Sequence, residues 1–212
     1  MSSPSLLVIG AGGHAKVGIS TARALGYTVA AIYDDDPAKW GKQLMGVPIV
    51  GGIQQAIKDF KNFTGAIVAI GDNRTRRQIT SCLDGLPWLT LIHPYAWVDP
   101  TAQIGAGSLV CAGAVVQAET YIGSHGIINT SASVDHDCVL GDFVHVAPGA
   151  RLAGGVQVGE GTLLGVGCSV LPNRKIGAWS VIGAGAVVVD DIPEGVIVAG
   201  VPARIVREVN HG

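Results

Sequence analysis

The chain has 212 residues, a formal net charge of −2 and only 14% charged residues, enough length for one large domain or two small ones. This charge balance leaves no electrostatic footprint for nucleic acid or an anionic membrane, and no basic run or aromatic-interleaved basic patch occurs. With 48% hydrophobic residues and 31 glycines, the composition is that of a folded, β-rich protein. Met1 to Ser5 lacks the charged n-region of a signal peptide and no apolar run approaches a membrane span, so a cytoplasmic protein is expected. Cys82, Cys111, Cys138 and Cys168 form no CxxC pair, which suits reduced, structural thiols.

In chain order, Ser5 to Ile9 reads as an apolar strand that breaks at Gly10-Ala11-Gly12-Gly13-His14-Ala15-Lys16. A helix is predicted from Val17 to Leu25, closed by Gly26, then a strand from Tyr27 to Tyr33 that runs into Asp34, Asp35 and Asp36. A loop bearing Gly and Pro leads to a helix from Ile53 to Asp59 and a third strand from Ala66 to Ile70. After Gly71-Asp72-Asn73 comes an Arg-rich helix, Arg74 to Cys82, and Leu89 to Ile92 leads through His93-Pro94 into a different pattern. The alternation predicts a Rossmann-like βαβαβ domain with a small parallel sheet over residues 1–95, and a second domain over 96–212.

Strand, Gly10-x-Gly12-x-x-Ala15, helix is the dinucleotide fingerprint in its Ala variant. Its glycines let backbone amides reach a phosphate at the helix N-terminus. Asp34 or Asp35, roughly twenty residues on, suits a ribose or a base edge. About three strands make one mononucleotide half, so a single nucleoside diphosphate fits better than NAD. A tight β–α turn without any ligand has the same sequence, and His14 either donates to a phosphate or caps the turn.

From Val98 through Ile104, Val110 and onward to Val188, a branched aliphatic residue recurs at every sixth position. Neither the helical nor the strand period produces that spacing, so the unit is supersecondary and the stretch is a β-solenoid. Three units close one coil of 18 residues, and residues 98–187 hold 15 units in five coils. The aliphatic points inward and stacks on its equivalents at about 4.8 Å. The fifth position is small, and Cys138 and Cys168 fill it as small apolar groups. Glycine at the second position, as in Gly105, Gly123, Gly141 and Gly159, is expected to permit the corner conformation. The general crossover rule would make the coils right-handed. His136, between Asp135 and Asp137, interrupts coils poor in ionisable groups, and is either functional or a lone surface histidine. One coil further on stands Gly154.

The repeat [Leu/Ile/Val]-[Gly/Ala/Asp]-x-x-small-x resembles that of the hexapeptide acyltransferases, and Asp190 to Gly195 with Ala199 to Arg204 resembles their closing segment. Gly10 to His14 together with Asn129-Thr130-Ser131-Ala132-Ser133-Val134-Asp135-His136-Asp137-Cys138 is narrower. The pair resembles the bacterial nucleotide-sugar acetyltransferases that N-acetylate 4-amino sugars, as in the bacillosamine and perosamine pathways, and the related sialic-acid O-acetyltransferases. This likeness runs over nearly the whole chain. It implies a left-handed parallel β-helix, a homotrimer with active sites between subunits, acetyl-CoA as cosubstrate and no metal. The implied acceptor is a nucleotide-linked 4-amino-4,6-dideoxy sugar, with UDP as the expected nucleotide, used in bacterial glycan biosynthesis.

By the same resemblance His136 is the general base, suited by an imidazole that titrates near neutral pH. Asp137 orients it, where relatives often carry the longer Glu, and Gly154 offers its amide to the thioester oxyanion. Substrate contacts are expected at Gly12, Gly13, His14, Asp34, Asp35, Asn73, Arg76 and Asn129. Coenzyme A contacts are expected at His145, Gly154, Gly165, Ile182 and Gly183, within the stretches Gly165 to Gly167 and Ile182 to Gly185, with Arg174, Lys175 or Arg204 near its 3′-phosphate. For Asn129 and His145 a structural role stands beside the functional one. Two alternatives use the same residues: sugar O-acetylation, and a non-catalytic nucleotide-sugar-binding subunit. A β-helical zinc carbonic anhydrase needs three convergent histidines, and His125, His136 and His145 do not share an 18-residue column.

Overall fold

The computed structural model describes residues 5–83 and 85–209 and divides into two compact units between Pro94 and Tyr95. In the first unit, among the described residues, five strands form one sheet in the order β3-β4-β2-β1-β5. They are β1 (Ser5–Ile9), β2 (Thr28–Tyr33), β3 (Gln43–Leu44), β4 (Val47–Gly51) and β5 (Gly65–Val68). All neighbours are parallel except β3 and β4. The helices are α1 (Gly13–Ala24), α2 (Ile53–Asp59) and α3 (Asn73–Cys82).

The apolar runs of the strands are buried on both faces, as a parallel sheet requires. Leu7, Ile9, Tyr33 and Val68 form one core with Ile53 and Ala56 of α2 and Ile79 of α3. Leu6, Val8, Ile32 and Ile67 are buried on the opposite face.

Where a plain loop was expected, β3 and β4 form a hairpin. Its two-residue connection, Met45 and Gly46, has φ of 52° and 77°, the pair of left-handed residues that a type I′ turn needs. Met-Gly lacks the usual Asn-Gly signal. Pro48, which cannot donate to a ladder, also hides an alternation of buried Val47, Ile49 and Gly51 with exposed Pro48 and Val50.

In the second unit every side of the coil is a strand of two residues up to Val187–Val188. Residues 18 apart pair in parallel, as in Val98–Val116–Val134–Leu152–Val170–Val188. The repeating aliphatics from Val110 to Val188 are buried, each stabilising the fold by about 1.5–3 kcal/mol relative to exposure. Cys138 and Cys168 are fully buried in the small slot. Burial pushes their thiols up to about 11 and about 12, which leaves them inert.

The corner conformation is not at the second position. The left-handed residue is the fourth of each unit from Ile104 to Ile182, with φ between 54° and 73° at Gly107, Gly113, Glu119, His125, Ser131 and Asp137. The second-position glycines answer to a different constraint. A Cβ on Gly105 would lie 2.5 Å from Ser124 N, and one on Gly123 would lie 2.6 Å from Asp142 N. Close approach of the next coil therefore demands glycine there. Beyond Val188 the register shortens: Ile192 bridges to Ile176, and Val196–Ala199 pairs with Val181–Ile182. Arg204–Glu208 then folds back antiparallel on Val196–Ala199.

Candidate active site

His136 and Asp137 form the corner that follows Ser133–Val134. Asp137 takes the left-handed conformation with φ 59°, which Asp adopts more readily than most residues. Its Oδ2 lies 2.7 Å from His136 Nδ1, and Asp135 Oδ1 accepts the His136 amide at 2.9 Å. The shorter Asp thus reaches the ring. The Asp137 hydrogen bond, helped by the charges of Asp135 and Asp137, holds the exposed imidazole above its ordinary 6.5 against a smaller opposing effect of desolvation. A carboxylate at Nδ1 accepts a hydrogen bond from Nδ1–H, which leaves the lone pair of the neutral ring on Nε2.

Gly154 lies against this ring. Val134 pairs with Leu152, and Gly155 donates to His136 O at 2.9 Å. A Cβ on Gly154 would lie 2.5 Å from His136 Cε1 and 2.7 Å from Nε2. Among the described residues the Gly154 N–H makes no hydrogen bond. Carboxylate, imidazole and an open amide therefore converge on one edge of the coil.

Asn129 and His145 also meet, with Asn129 Nδ2 3.1 Å from His145 Nε2. They belong to the sheet that holds Ile127–Ile128 and His145–Val146, and Asn129 starts the next corner. Within one chain this pair and the His136 corner occupy different edges of the coil. His125 is buried and stacks on Phe143, with ring centroids 5.3 Å apart. Among the described residues no group of three His, Cys, Asp or Glu is arranged to hold a metal.

At three positions expected to meet coenzyme A the structure shows contacts within the coil. Ile182 is 0% exposed and points into the core. Gly165 and Gly183 donate to Ile182 O at 2.8 Å and Val198 O at 2.7 Å, and both glycines are pressed against the following strand. Arg174 Nη1 lies 3.9 Å from Asp191 Oδ1, and Arg204 Nη1 lies 3.4 Å from Asp190 Oδ2, while Lys175 is exposed. Gly167 and Gly185, at the ends of the stretches expected beside coenzyme A, align with Gly149 in a column on the Asn129 edge. Gly149, Gly167 and Gly185 all have positive φ, and a Cβ on any of them would meet nothing within 4 Å. Three such glycines 18 residues apart, beside the exposed Val166, make a column without side chains along that edge.

In the first unit, Gly10 has φ 98°, and a Cβ there would lie 2.6 Å from Ile70 Cγ1. The open spaces above Gly12 and Gly13 expose the start of α1, which has no side-chain cap and no acid in its first turn. These amides face a cleft of about 270 Å³ lined also by His14, Asp34, Lys39 and Gly71. Uncapped amides at a helix N-terminus favour an anion. Burial, with the Arg76 guanidinium nearby, brings His14 down to about 4, so it is neutral at neutral pH.

Asp34 accepts from the Ala11 amide at 2.7 Å and lies 3.1 Å from Lys39 Nζ. Burial raises its pKa, but the amides of Asp36 and Ala11 and the Lys39 ammonium outweigh that and hold it below the usual range. Asp34 therefore braces the Gly-rich turn. Asp35 accepts from Ile53 N at 2.8 Å, tying β2 to the start of α2 rather than lining the cleft. Arg76 is 1% exposed, donates to Ile70 O at 2.9 Å and to Asn73 Oδ1 at 2.8 Å, and so holds the turn after β5. Neither Arg76 nor Asn73 lines the cleft. Lys39 does, and was overlooked; its signal is the Asp36-Pro37-Ala38-Lys39 turn, in which Asp36 Oδ1 caps Ala38 N at 3.0 Å.

Residues 5–83 match the family model described as the PglD N-terminal domain, and residues 155–190 match the bacterial transferase hexapeptide (six repeats). A perosamine N-acetyltransferase from Caulobacter crescentus, solved with CoA and GDP-perosamine, is 45% identical. It superposes with a TM-score of 0.90 over 96% of this chain and 97% of that one. This chain belongs to the nucleotide-sugar N-acetyltransferases of the hexapeptide acyltransferase superfamily. It is an acyltransferase, and its second unit is the left-handed β-helix of that family rather than a right-handed coil. The acetyltransferase domain of PglB from Neisseria gonorrhoeae, solved with acetyl coenzyme A, is 43% identical, with a TM-score of 0.89 over 97% of this chain and 100% of that one. The GDP-perosamine N-acetyltransferase of Escherichia coli O157:H7 is 35% identical over 148 residues, 65% of this chain. The chain spans 65% of that curated relative's length. No helix among the described residues is long and apolar enough to cross a membrane.

Proposed function

We propose that this acyltransferase moves the acetyl group of acetyl-CoA onto the amine of a nucleotide-linked 4-amino-4,6-dideoxy sugar for bacterial glycan biosynthesis, as a cytoplasmic homotrimer. The convergence of the Asp137 carboxylate, the His136 imidazole and the open Gly154 amide carries this reading. The amine nitrogen attacks the thioester carbonyl carbon, and His136 Nε2 takes the proton that the amine sheds. The carbonyl oxygen, now an oxyanion, accepts from Gly154 N–H. The C–S bond then breaks, and the proton passes to the departing thiolate. Asp137 keeps the Nδ1 proton in place and stabilises the imidazolium.

The cleft at the start of α1 takes the nucleotide diphosphate, against the helix amides and Lys39, with neutral His14 as a hydrogen-bonding partner. The pantetheine arm runs along the edge of Gly149, Gly167 and Gly185, towards His145. Because that edge and the His136 edge are distinct in one chain, a second copy completes the site, which favours catalysis between subunits. Relatives that act on GDP-perosamine make GDP as eligible as UDP.

Thiol release from acetyl-CoA, followed across UDP- and GDP-linked amino sugars with mass analysis of the product, tests the proposal. An N-acetylated nucleotide sugar is the expected result. Acetylation of hydroxyls alone would replace it with O-acetylation, and the absence of thiol release with every nucleotide-linked amino sugar would remove this acceptor class.

A pH profile tests the Asp137–His136 pair. His136 must be neutral to act as a base, and Asp137 raises its pKa, so kcat/KM should fall as pH drops through a value above 6.5. In Asp137→Asn that acid limb should move to lower pH, while the plateau falls about tenfold as the base weakens. An unmoved limb would separate His136 from the titration.

A further inference from the structure

The Asn129 side chain has one orientation fixed by its neighbour. Its Oδ1 accepts from the Thr130 amide at 2.8 Å, which turns Nδ2 towards His145 Nε2 at 3.1 Å. An amide NH₂ group can only donate, so Nε2 must offer its lone pair. A neutral imidazole carries one proton, and here that places it on Nδ1. Asn129 is itself held, being 8% exposed and donating its own amide to Val146 O at 2.9 Å.

We propose that Asn129 is a positioning residue that holds His145 in the Nδ1–H tautomer, so that the ring meets acetyl-CoA as a hydrogen-bond donor through Nδ1. This rests on the acetyl-CoA reading above, with His145 beside the acetyl end of the cosubstrate. The direction of the bond matters because the thioester oxygen gains negative charge during attack. A donor stabilises that oxygen, whereas a ring lone pair turned to it would repel it. The assignment moves Asn129 from the amino sugar to the support of a ring on its own edge. His136 reaches the same tautomer by the opposite device, a carboxylate that accepts from Nδ1.

Long-range proton–nitrogen NMR spectra of ¹⁵N-histidine-labelled enzyme read the tautomer directly, with the His145 signals assigned by their loss in His145→Gln. The expected wild-type pattern is a protonated Nδ1 and a bare Nε2. In Asn129→Asp the partner becomes an acceptor, and the proton should move to Nε2. Asn129→Ala should mix the tautomers and lower kcat about tenfold, the scale of one lost hydrogen bond to the developing oxyanion, with KM for the sugar nucleotide within about twofold of wild type.

A wild-type His145 protonated on Nε2 would overturn the proposal, whether or not the variants fold. So would an Asn129→Ala enzyme whose KM rises for the sugar nucleotide alone. Either result leaves the transferase reading intact, because wild-type thiol release is measured separately.

Discussion

His136→Ala should lower kcat by about 10²–10⁴, the range expected for loss of a positioned general base, while the thermal midpoint stays close to that of wild type. The ring is exposed, with 61% of its side chain accessible, so little packing is lost with it. Its main-chain carbonyl still accepts from Gly155, and the coil register is untouched. Steady-state kinetics at pH 8 with circular dichroism melting separate the two effects. His136→Asn is the stricter variant, since it keeps a polar side chain without a titratable nitrogen. A kcat near wild type in either variant would remove His136 from the chemistry.

Gly154→Ala should be nearly as damaging although it adds one methyl group far along the sequence. The new Cβ would lie 2.5 Å from His136 Cε1, so the ring must swing away from its place beside Asp137. The same methyl crowds the amide assigned to the oxyanion. A loss of about 100-fold in kcat is expected, comparable with removal of one oxyanion donor. Gly154 has no positive φ, and the group it displaces is an exposed side chain, so stability should change little. Gly155→Ala supplies the contrast. There φ is 71°, and the cost of about 1–2 kcal/mol for a left-handed residue with a Cβ should appear in the melting temperature. Equal loss of stability in both variants would show that Gly154 serves only packing.

Much of this was legible before any coordinates. The six-residue period of aliphatics fixes which side chains face inward, and three units per coil place Gly154 next to His136, as Val134–Leu152 pairing bears out. Such inference works because a solenoid converts sequence distance directly into spatial distance. In the first unit no such rule operates. Arg76 reads as a substrate contact in sequence, yet its guanidinium is buried under the carbonyls of Ile70 and Gly71, a tertiary placement that its helix pattern does not encode. Asp35 likewise reads as a ribose contact and binds the start of α2. The second-position glycines were recognised for the wrong reason, since conformation and close approach both select glycine and only coordinates tell them apart. The same confusion left the fourth-position alignment of Gly149 with Gly167 and Gly185 unread.

The 18-residue register has an evolutionary consequence. In a loop-built enzyme, insertions near the catalytic residues can be absorbed by re-routing the chain. Here a single residue gained or lost within the strands between Val134 and Leu152 would slide every later rung past its partner. His136 would then face a neighbour of Gly154 instead of Gly154 itself. Duplicating or removing a whole coil elsewhere would preserve their match. Lineages of this enzyme should therefore change length in the solenoid by whole coils or by bulges at its corners, so that the reaction geometry is inherited as a count of residues.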